Sequence, residues 1–182
     1  MKKVLTADKS ETFLNEEVGE SYHSYTGAVE EAMKKYAEPT KIKELAKSGH
    51  IRILDCFFGM GYNSAMAVSV ALEENPNCKV EVVGLELDAA IVSKIQEVNP
   101  EIAFFKHYKK LTNENLSFVE GNVSVKVLLG DVRETTKKLD DEHFDVVFWD
   151  PFSPKTMPEM WSEDLFKEMF RVMKSSGVLA TY

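Results

Sequence analysis

Four runs of the chain are apolar almost without a break, and segments of helical character separate them. The runs are Ile51–Asp55, Lys79–Leu87, Val123–Leu129 and Phe144–Trp149. A strand that is apolar on both sides has to be covered on both sides, and strands joined through helices pair in parallel. The pattern therefore predicts an α/β fold with a parallel sheet between two helical layers. Asn63–Glu74 is rich in Ala, Val and Met and stops at Asn75-Pro76, which reads as a helix. Asp88 is placed to cap a helix that runs to Val98, with Ile91, Val92, Ile95 and Val98 on one face. Glu134–Leu139 reads as a weak helix. Ser162 is placed to cap a helix to Lys174, with Glu163 and Asp164 near its positive end. Gly177 is expected to end that helix, and Val178–Tyr182 to open a fifth strand.

Residues 1–50 read as a polar entry segment followed by helices, and residues 51–182 as the core of a single domain. Ala28, Val29, Ala32, Met33 and Tyr36 fall at helical spacing within Gly27–Glu38, which Pro39 ends. Thr40 is expected to cap a short helix, Lys41–Lys47, with Gly49 just past it. Residues 99–122 mix aromatics with lysines and exceed ordinary connection lengths, so they read as an insertion. Tyr182 falls inside a strand pattern, so the sheet reads as cut after its fifth strand. Val178, Leu179 and Ala180 would then lie on an open edge, through which self-association is expected.

With 44% hydrophobic residues the chain can build a core. Cys56 and Cys78 alone exclude a disulfide scaffold or a cysteine-rich zinc module. No apolar run approaches the ~20 residues of a membrane span, and Met1–Asp8 lacks the apolar stretch of a signal peptide. The expected setting is soluble, reducing and cytoplasmic. The balance of 22 Lys+Arg against 30 Asp+Glu argues against a broad nucleic-acid footprint. It leaves room for one basic cluster, Lys106, His107, Lys109 and Lys110, which either touches RNA phosphates or forms a solvated face.

Candidate chemistry sits where the apolar runs end. Asp55-Cys56-Phe57-Phe58-Gly59-Met60-Gly61-Tyr62-Asn63 is a strand end, an acid and a Gly-x-Gly turn into a helix. It lacks the third glycine of a dinucleotide fingerprint, because Ser64 stands there. An acid before the glycines is ill suited to pyrophosphate and well suited to an amino or sulfonium group. The alternative is a plain strand-to-helix turn. Glu86 ends the second run, where an acid can accept both hydroxyls of a ribose; Asp88 is more simply a helix cap. Asp131, after the third run, can accept from an adenine amine while the N–H of Val132 reaches a ring nitrogen. Gly130-Asp131 is also an ordinary turn. The fourth run delivers Asp150 into a loop stiffened by Pro151, Pro154 and Pro158, with Phe152 and Trp161 able to stack on a flat base. A rigid loop bearing one solvated carboxylate is the competing reading.

These features, in this order, suggest the class I S-adenosylmethionine-dependent methyltransferase fold, a Rossmann-like sheet with helices on both faces. The stretch Asp150-Pro151-Phe152-Ser153-Pro154-Lys155-Thr156-Met157-Pro158-Glu159-Met160-Trp161 resembles the D-x-F-[AS]-P-x-x-x-P-[DE]-M-W signature of the MnmC-type tRNA methyltransferases. Thr6–Thr12, Gly19–Ser24, Gly27-Ala28 and Glu31 resemble that family's N-terminal motif. The resemblance implies methyl transfer from S-adenosylmethionine to the aminomethyl nitrogen of a wobble uridine in tRNA. It implies Asp150 as the catalytic residue and Phe152, Lys155 and Trp161 as substrate contacts. Tyr22, His23, Asp55, Gly59, Gly61, Asn63, Glu86, Asp131 and Val132 are then the expected cofactor-binding residues. Many members carry a second, FAD-dependent domain; with no second glycine fingerprint here, the expectation is a stand-alone form using neither FAD nor metal. His50, His107 and His143 have no partners at metal-ligand spacing, and His23 is either a base or a structural residue. A small-amine transferase of the aminopropyltransferase type, or a non-catalytic cofactor-binding domain, are the alternative functions.

Overall fold

The computed structural model describes residues 1–182. Strands β4 (His50–Cys56), β5 (Lys79–Glu86), β7 (Val123–Leu129), β8 (Phe144–Trp149) and β9 (Met173–Ala180) pair in parallel. β6 (Ser117–Glu120) adds an antiparallel edge to β7, giving the order β6-β7-β5-β4-β8-β9. The order reverses between β4 and β8. In an open α/β sheet ligands bind outside the carboxyl ends of the strands at such a switch point.

The two-residue period of the strands divides the core into two layers. Ile51 and Ile53 of β4, Val80 and Val82 of β5, and Val146 and Phe148 of β8 enter the larger layer. Leu54 and Cys56, Leu85, and Val147 and Trp149 enter the smaller one. Helix α3 (Tyr62–Glu74) closes the larger layer with Ala65, Ala67 and Ala71, all fully buried. Helix α7 (Glu163–Val172) closes the smaller one with Leu165, Met169 and Val172.

The first fifty residues hold more strand than the sequence suggests. β1 (Lys2–Leu5), β2 (Glu11–Asn15) and β3 (Glu20–Ser21) form a separate antiparallel sheet. Helix α1 (Ala28–Glu31) runs straight into a π-helical stretch, Ala32–Ala37. Its start is tied down by Asp8, whose carboxylate accepts from the N–H groups of Val29 and Glu30 at 3.1 and 3.0 Å. Thr40 does not cap the next helix, α2 (Ile42–Ala46): its hydroxyl bonds back to Tyr36 O at 2.6 Å, and Lys41 takes the left-handed cap position.

Residues 99–122 are not an appendage. Phe104, Phe105, Tyr108, Leu111 and Phe118 are core residues, carried by α5 (Phe105–Tyr108), the residues flanking it, and β6. The lysines of the stretch lie on its outer side, which is why the composition looked mixed. Asp88 does cap α4 (Ala89–Ser93), accepting from Ala90 N–H at 2.8 Å, before the helix tightens at Lys94–Glu97. The weak helix lies at α6 (Val132–Thr135), two residues earlier than its apolar pattern suggests, because Asp131 caps it. Helix α7 ends at Val172, not at Gly177: the carbonyls of Arg171 and Val172 are taken by the N–H groups of Glu142 and His143. Ser162 makes no side-chain cap there, and Gly177 lies inside a bulged β9.

Candidate functional site

A cavity of about 690 Å³ opens at the carboxyl ends of β4, β5, β7 and β8. That is the size of a cofactor or drug-sized ligand site. The antiparallel sheet of the first fifty residues contributes Asn15 and Glu20 to its wall, and the bend after β3 contributes Tyr22 and His23.

The glycine loop is shaped from beneath. The Asp55 carboxylate is fully buried and its Oδ2 accepts from Ser64 N–H at 3.2 Å, holding the first turn of α3. It does not line the cavity, so the expected contact between Asp55 and a cationic ligand group is not made. Gly61 is also a packing residue: at φ +75, a Cβ there would lie 2.6 Å from the Phe58 ring and 2.8 Å from that of Tyr108. Gly59 differs. It faces the cavity with φ +55 and nothing nearer than 3.7 Å, a cradle that a side chain would partly fill. Ahead of both, Phe57 holds φ +62 without being glycine, packs edge-on against Trp149 and lines the cavity.

Glu86 braces that loop. Its carboxylate accepts from Gly59 N–H and from Asp88 N–H, each at 2.8 Å. Burial pushes its carboxyl up, against those two bonds. Asp131 lines the far end of the cavity with Val132. Arg133 grips it, donating Nε–H to Oδ1 at 2.9 Å and reaching Oδ2 through Nη2. That guanidinium holds the Asp131 carboxyl below its ordinary value.

Asp150 lies at the switch point itself. Asn63 Nδ2 donates to its Oδ2 at 2.8 Å. Burial pushes the carboxyl up to about 6, against the pull of the Tyr36 hydroxyl and the Asn63 amide. His23 lines the cavity as a neutral ring: it is buried, bonds Thr12 at 3.0 Å and stacks on Tyr62, and burial lowers it to about 4. Tyr22 packs on Phe152 with ring centroids 5.3 Å apart and donates to Asp88 at 3.3 Å.

Two expected substrate contacts lie elsewhere. Lys155 is exposed and outside the cavity, and Trp161 is turned away, donating Nε1–H to Phe152 O at 3.1 Å and resting on Tyr182. Phe152 does line the cavity. Three of the four basic-cluster residues have partners in the fold: Lys110 and His107 pair with Glu120, and Lys109 bonds Asn99, while Lys106 is exposed.

Lys35 and Arg133 line the cavity without any motif to mark them, and Glu20 and Glu31 are marked only through the N-terminal motif. Arg133 follows Asp131 by two positions, and that spacing was its only signal. The lining carries eight carboxylates (Glu17, Glu20, Glu31, Glu86, Asp88, Asp131, Asp150, Glu159) against Lys35 and Arg133. Such a cavity attracts cations and repels phosphates. No group of three or more His, Cys, Asp or Glu residues is arranged to hold a metal ion. A cationic, amine-bearing cofactor of nucleoside type fits: the cradle at Gly59, two acids at neighbouring strand ends and the excess of negative charge are all present.

Comparison with known proteins points the same way. A family described as S-adenosyl-L-methionine-dependent methyltransferase matches residues 96–182. The crystal structure of MnmC2 from Aquifex aeolicus superposes with a TM-score of 0.87 at 34% identity, covering 100% of this chain and 59% of that one. An uncharacterized protein of Methanocaldococcus jannaschii, MJ0670, is 31% identical over 98% of this chain and 49% of its own length. The tRNA 5-methylaminomethyl-2-thiouridine biosynthesis bifunctional protein MnmC of Pseudomonas putida is 26% identical, over 90% of this chain and 27% of its own length. The chain thus spans half or less of the curated relatives it matches.

Proposed function

The chain belongs, by sequence and by fold, with the S-adenosyl-L-methionine-dependent methyltransferases of the MnmC type, and on that premise we propose that it methylates the aminomethyl nitrogen of a modified wobble uridine in tRNA. The observation that carries this reading is Asp150, a half-buried carboxylate at the switch point of an acidic cavity. Such a cavity suits two cationic groups, a sulfonium and an ammonium, held side by side.

In this reading Gly59, Glu86, Asp131 and Val132 hold S-adenosylmethionine, with Tyr22, His23 and Asn63 shaping the wall. Asp55 and Gly61 act from beneath, by fixing the loop. When bound, the cofactor supplies an electrophilic methyl group. The acceptor is the harder partner to prepare. An alkyl amine titrates near 10.4, so at neutral pH it carries a proton and has no lone pair for attack. Asp150 orients the amine and takes that proton, as a positioned general base. A negative charge also favours the ammonium form, so the benefit lies in position, with reacting atoms roughly 3–3.5 Å apart. The prolines that follow hold that position. Phe152 packs the uracil ring; Lys155, exposed beside the mouth, meets the tRNA backbone. Residues 1–50 serve as the outer wall of a methyltransferase core at 51–182. The setting is cytoplasmic, where tRNA is found; no helix is long and apolar enough to cross a membrane.

The test is methyl transfer from labelled S-adenosylmethionine to aminomethylated and to unmodified tRNA. Transfer to the aminomethylated tRNA alone is expected. Asp150→Asn should keep cofactor binding and lose turnover by roughly 10²-fold or more. Equal labelling of both tRNAs, or normal turnover by Asp150→Asn, overturns the proposal.

A further inference from the structure

His23 gives one ring nitrogen to the fold and the other to the cavity. Nδ1 lies 3.0 Å from the Thr12 hydroxyl, and the ring stacks on Tyr62 with centroids 4.7 Å apart. The residue is 8% exposed and lines the cavity. Nε2 has no hydrogen-bond partner within the protein, yet it is not one of the unpartnered polar atoms sealed from solvent. It therefore opens on the cavity that the ring lines.

Thr12 decides which nitrogen carries the proton. It is fully buried, and Nδ1 is the one partner its hydroxyl has in the protein. If Nδ1 carried the proton, the hydroxyl would accept, and its own hydrogen would be left buried and unpaired, the costlier state. With the hydroxyl donating to Nδ1, the ring proton sits on Nε2. The ring is not doubly protonated at neutral pH, because burial lowers His23 to about 4 against the opposite pull of Glu31 and Asp8. Both of these acids have donors of their own. Glu31 accepts from Ser24 N–H at 2.8 Å and from Lys35 at 2.6 Å, and Asp8 is held by Thr6, Ser10 and the first turn of α1.

A fixed, neutral N–H donor has a particular use in a lining of eight carboxylates, where Lys35 is paired with Glu31 and Arg133 with Asp131. Tyr62 opens α3, and the next residue, Asn63, holds Asp150. His23 thus stands at the Asp150 end of the cavity, away from Asp131. S-adenosylmethionine brings a sulfonium and an amino-acid tail to that end. The tail's carboxylate is the one anion the cofactor carries, and the surrounding acids repel it unless a donor meets it. A lysine would supply the donor and repel the sulfonium. A neutral imidazole N–H supplies it without adding positive charge.

We propose that Thr12 locks His23 in the Nε2–H tautomer and that this N–H binds the α-carboxylate of S-adenosylmethionine. The inference rests on S-adenosylmethionine as the cofactor; it is independent of the tRNA acceptor and of the role given to Asp150. His23 is a cofactor contact, and Thr12 is a positioning residue that acts through it.

Calorimetry on the full chain compares S-adenosylmethionine with its decarboxylated analogue, which keeps the sulfonium and the amine and lacks the carboxylate. The quantity read is the ratio of the two affinities. His23→Phe should shift that ratio against S-adenosylmethionine by about ten-fold, the scale of one charge-assisted hydrogen bond, with the analogue's Kd within about two-fold of the parent's. Thr12→Val frees the tautomer and should shift the ratio the same way by about two- to five-fold. A ratio unchanged by His23→Phe overturns the proposal, whether both affinities hold or fall together. A loss confined to KM for tRNA also overturns it, by giving the donor to the substrate. A parent that binds neither ligand overturns the cofactor assignment, and the proposal with it. If the variants do not fold, nitrogen-15 NMR reads the parent's own ring. The proton is expected on Nε2, and its resonance should move with S-adenosylmethionine far more than with the analogue. A proton on Nδ1, or equal responses to the two ligands, overturns the proposal.

Discussion

Glu20 and Ser153 lie 133 residues apart and are joined twice: the Glu20 carboxylate accepts from Ser153 N–H at 3.0 Å and from its hydroxyl at 2.5 Å. The Thr156 hydroxyl bonds the same carboxylate. Desolvation opposes the ionised form, but these bonds together hold Glu20 below its ordinary value. The small antiparallel sheet is thereby fastened to the proline-rich loop that carries Asp150. Glu20→Ala should lower kcat/KM for tRNA by about ten-fold, the scale of one charge-assisted hydrogen bond. Cofactor affinity should change far less. Kinetics on both substrates checks this; an equal loss on the two would mean that Glu20 merely stabilises the fold.

Arg133 competes for the carboxylate that Asp131 would offer an adenine. Its guanidinium is more than half exposed, so solvent screening keeps the ion pair weak. Arg133→Ala should tighten S-adenosylmethionine binding by about 1.5- to 5-fold. Calorimetry at low and moderate salt would measure it. Weaker binding by the variant would mean that Arg133 contacts the cofactor directly.

Gly59 and Gly61 should respond differently to alanine. At both, φ is positive and a Cβ is strained. Only at Gly61 does it also collide with two buried aromatic rings, Phe58 and Tyr108. Gly61→Ala should cost about 2–4 kcal/mol and Gly59→Ala about 1 kcal/mol. Urea denaturation compares them, and cofactor titration should show the reverse sensitivity at Gly59.

Asp55 should make the fold less stable as pH rises. Burial and the nearby acids lift its carboxyl to about 7, against an ordinary value of 3.8. Between those values the folded state holds a proton that the unfolded state has released, so stability falls with rising pH. His23 acts oppositely between about 4 and 6.5, since it is neutral when folded and protonated when unfolded. Asp55→Asn removes only the first effect. Its Tm difference from the parent should therefore shift in the variant's favour from pH 4 to pH 7, then level off. A difference independent of pH would show that Asp55 is not protonated in the fold.

Much of the architecture follows from local pattern. Runs such as Val123–Leu129 and Phe144–Trp149 appear as strands with the bounds their composition marks, because an uninterrupted apolar run has no other stable arrangement in water. The order of acids at successive strand ends follows from chain order alone, and it brings Glu86, Asp131 and Asp150 to one cavity. Local pattern also misled where side chains reach across the fold. Thr40 and Ser162 have the chemistry of caps, but the Thr40 hydroxyl turns back to the Tyr36 carbonyl and Ser162 makes no side-chain cap.

The division between ligand-facing and supporting residues was decided by tertiary structure. Asp55 and Glu86 are both acids ending strands, yet the one turns under α3 to hold Ser64 and the other stays at the cavity. Trp161 and Phe152 are both aromatics of one loop, yet only Phe152 faces the cavity. Glu20 meets Ser153 and Arg133 meets Asp131 through contacts that no spacing rule encodes. A residue's type and its place along a strand determine what it can do; which groups crowd it in space determines whether it is charged, paired or free to meet a ligand.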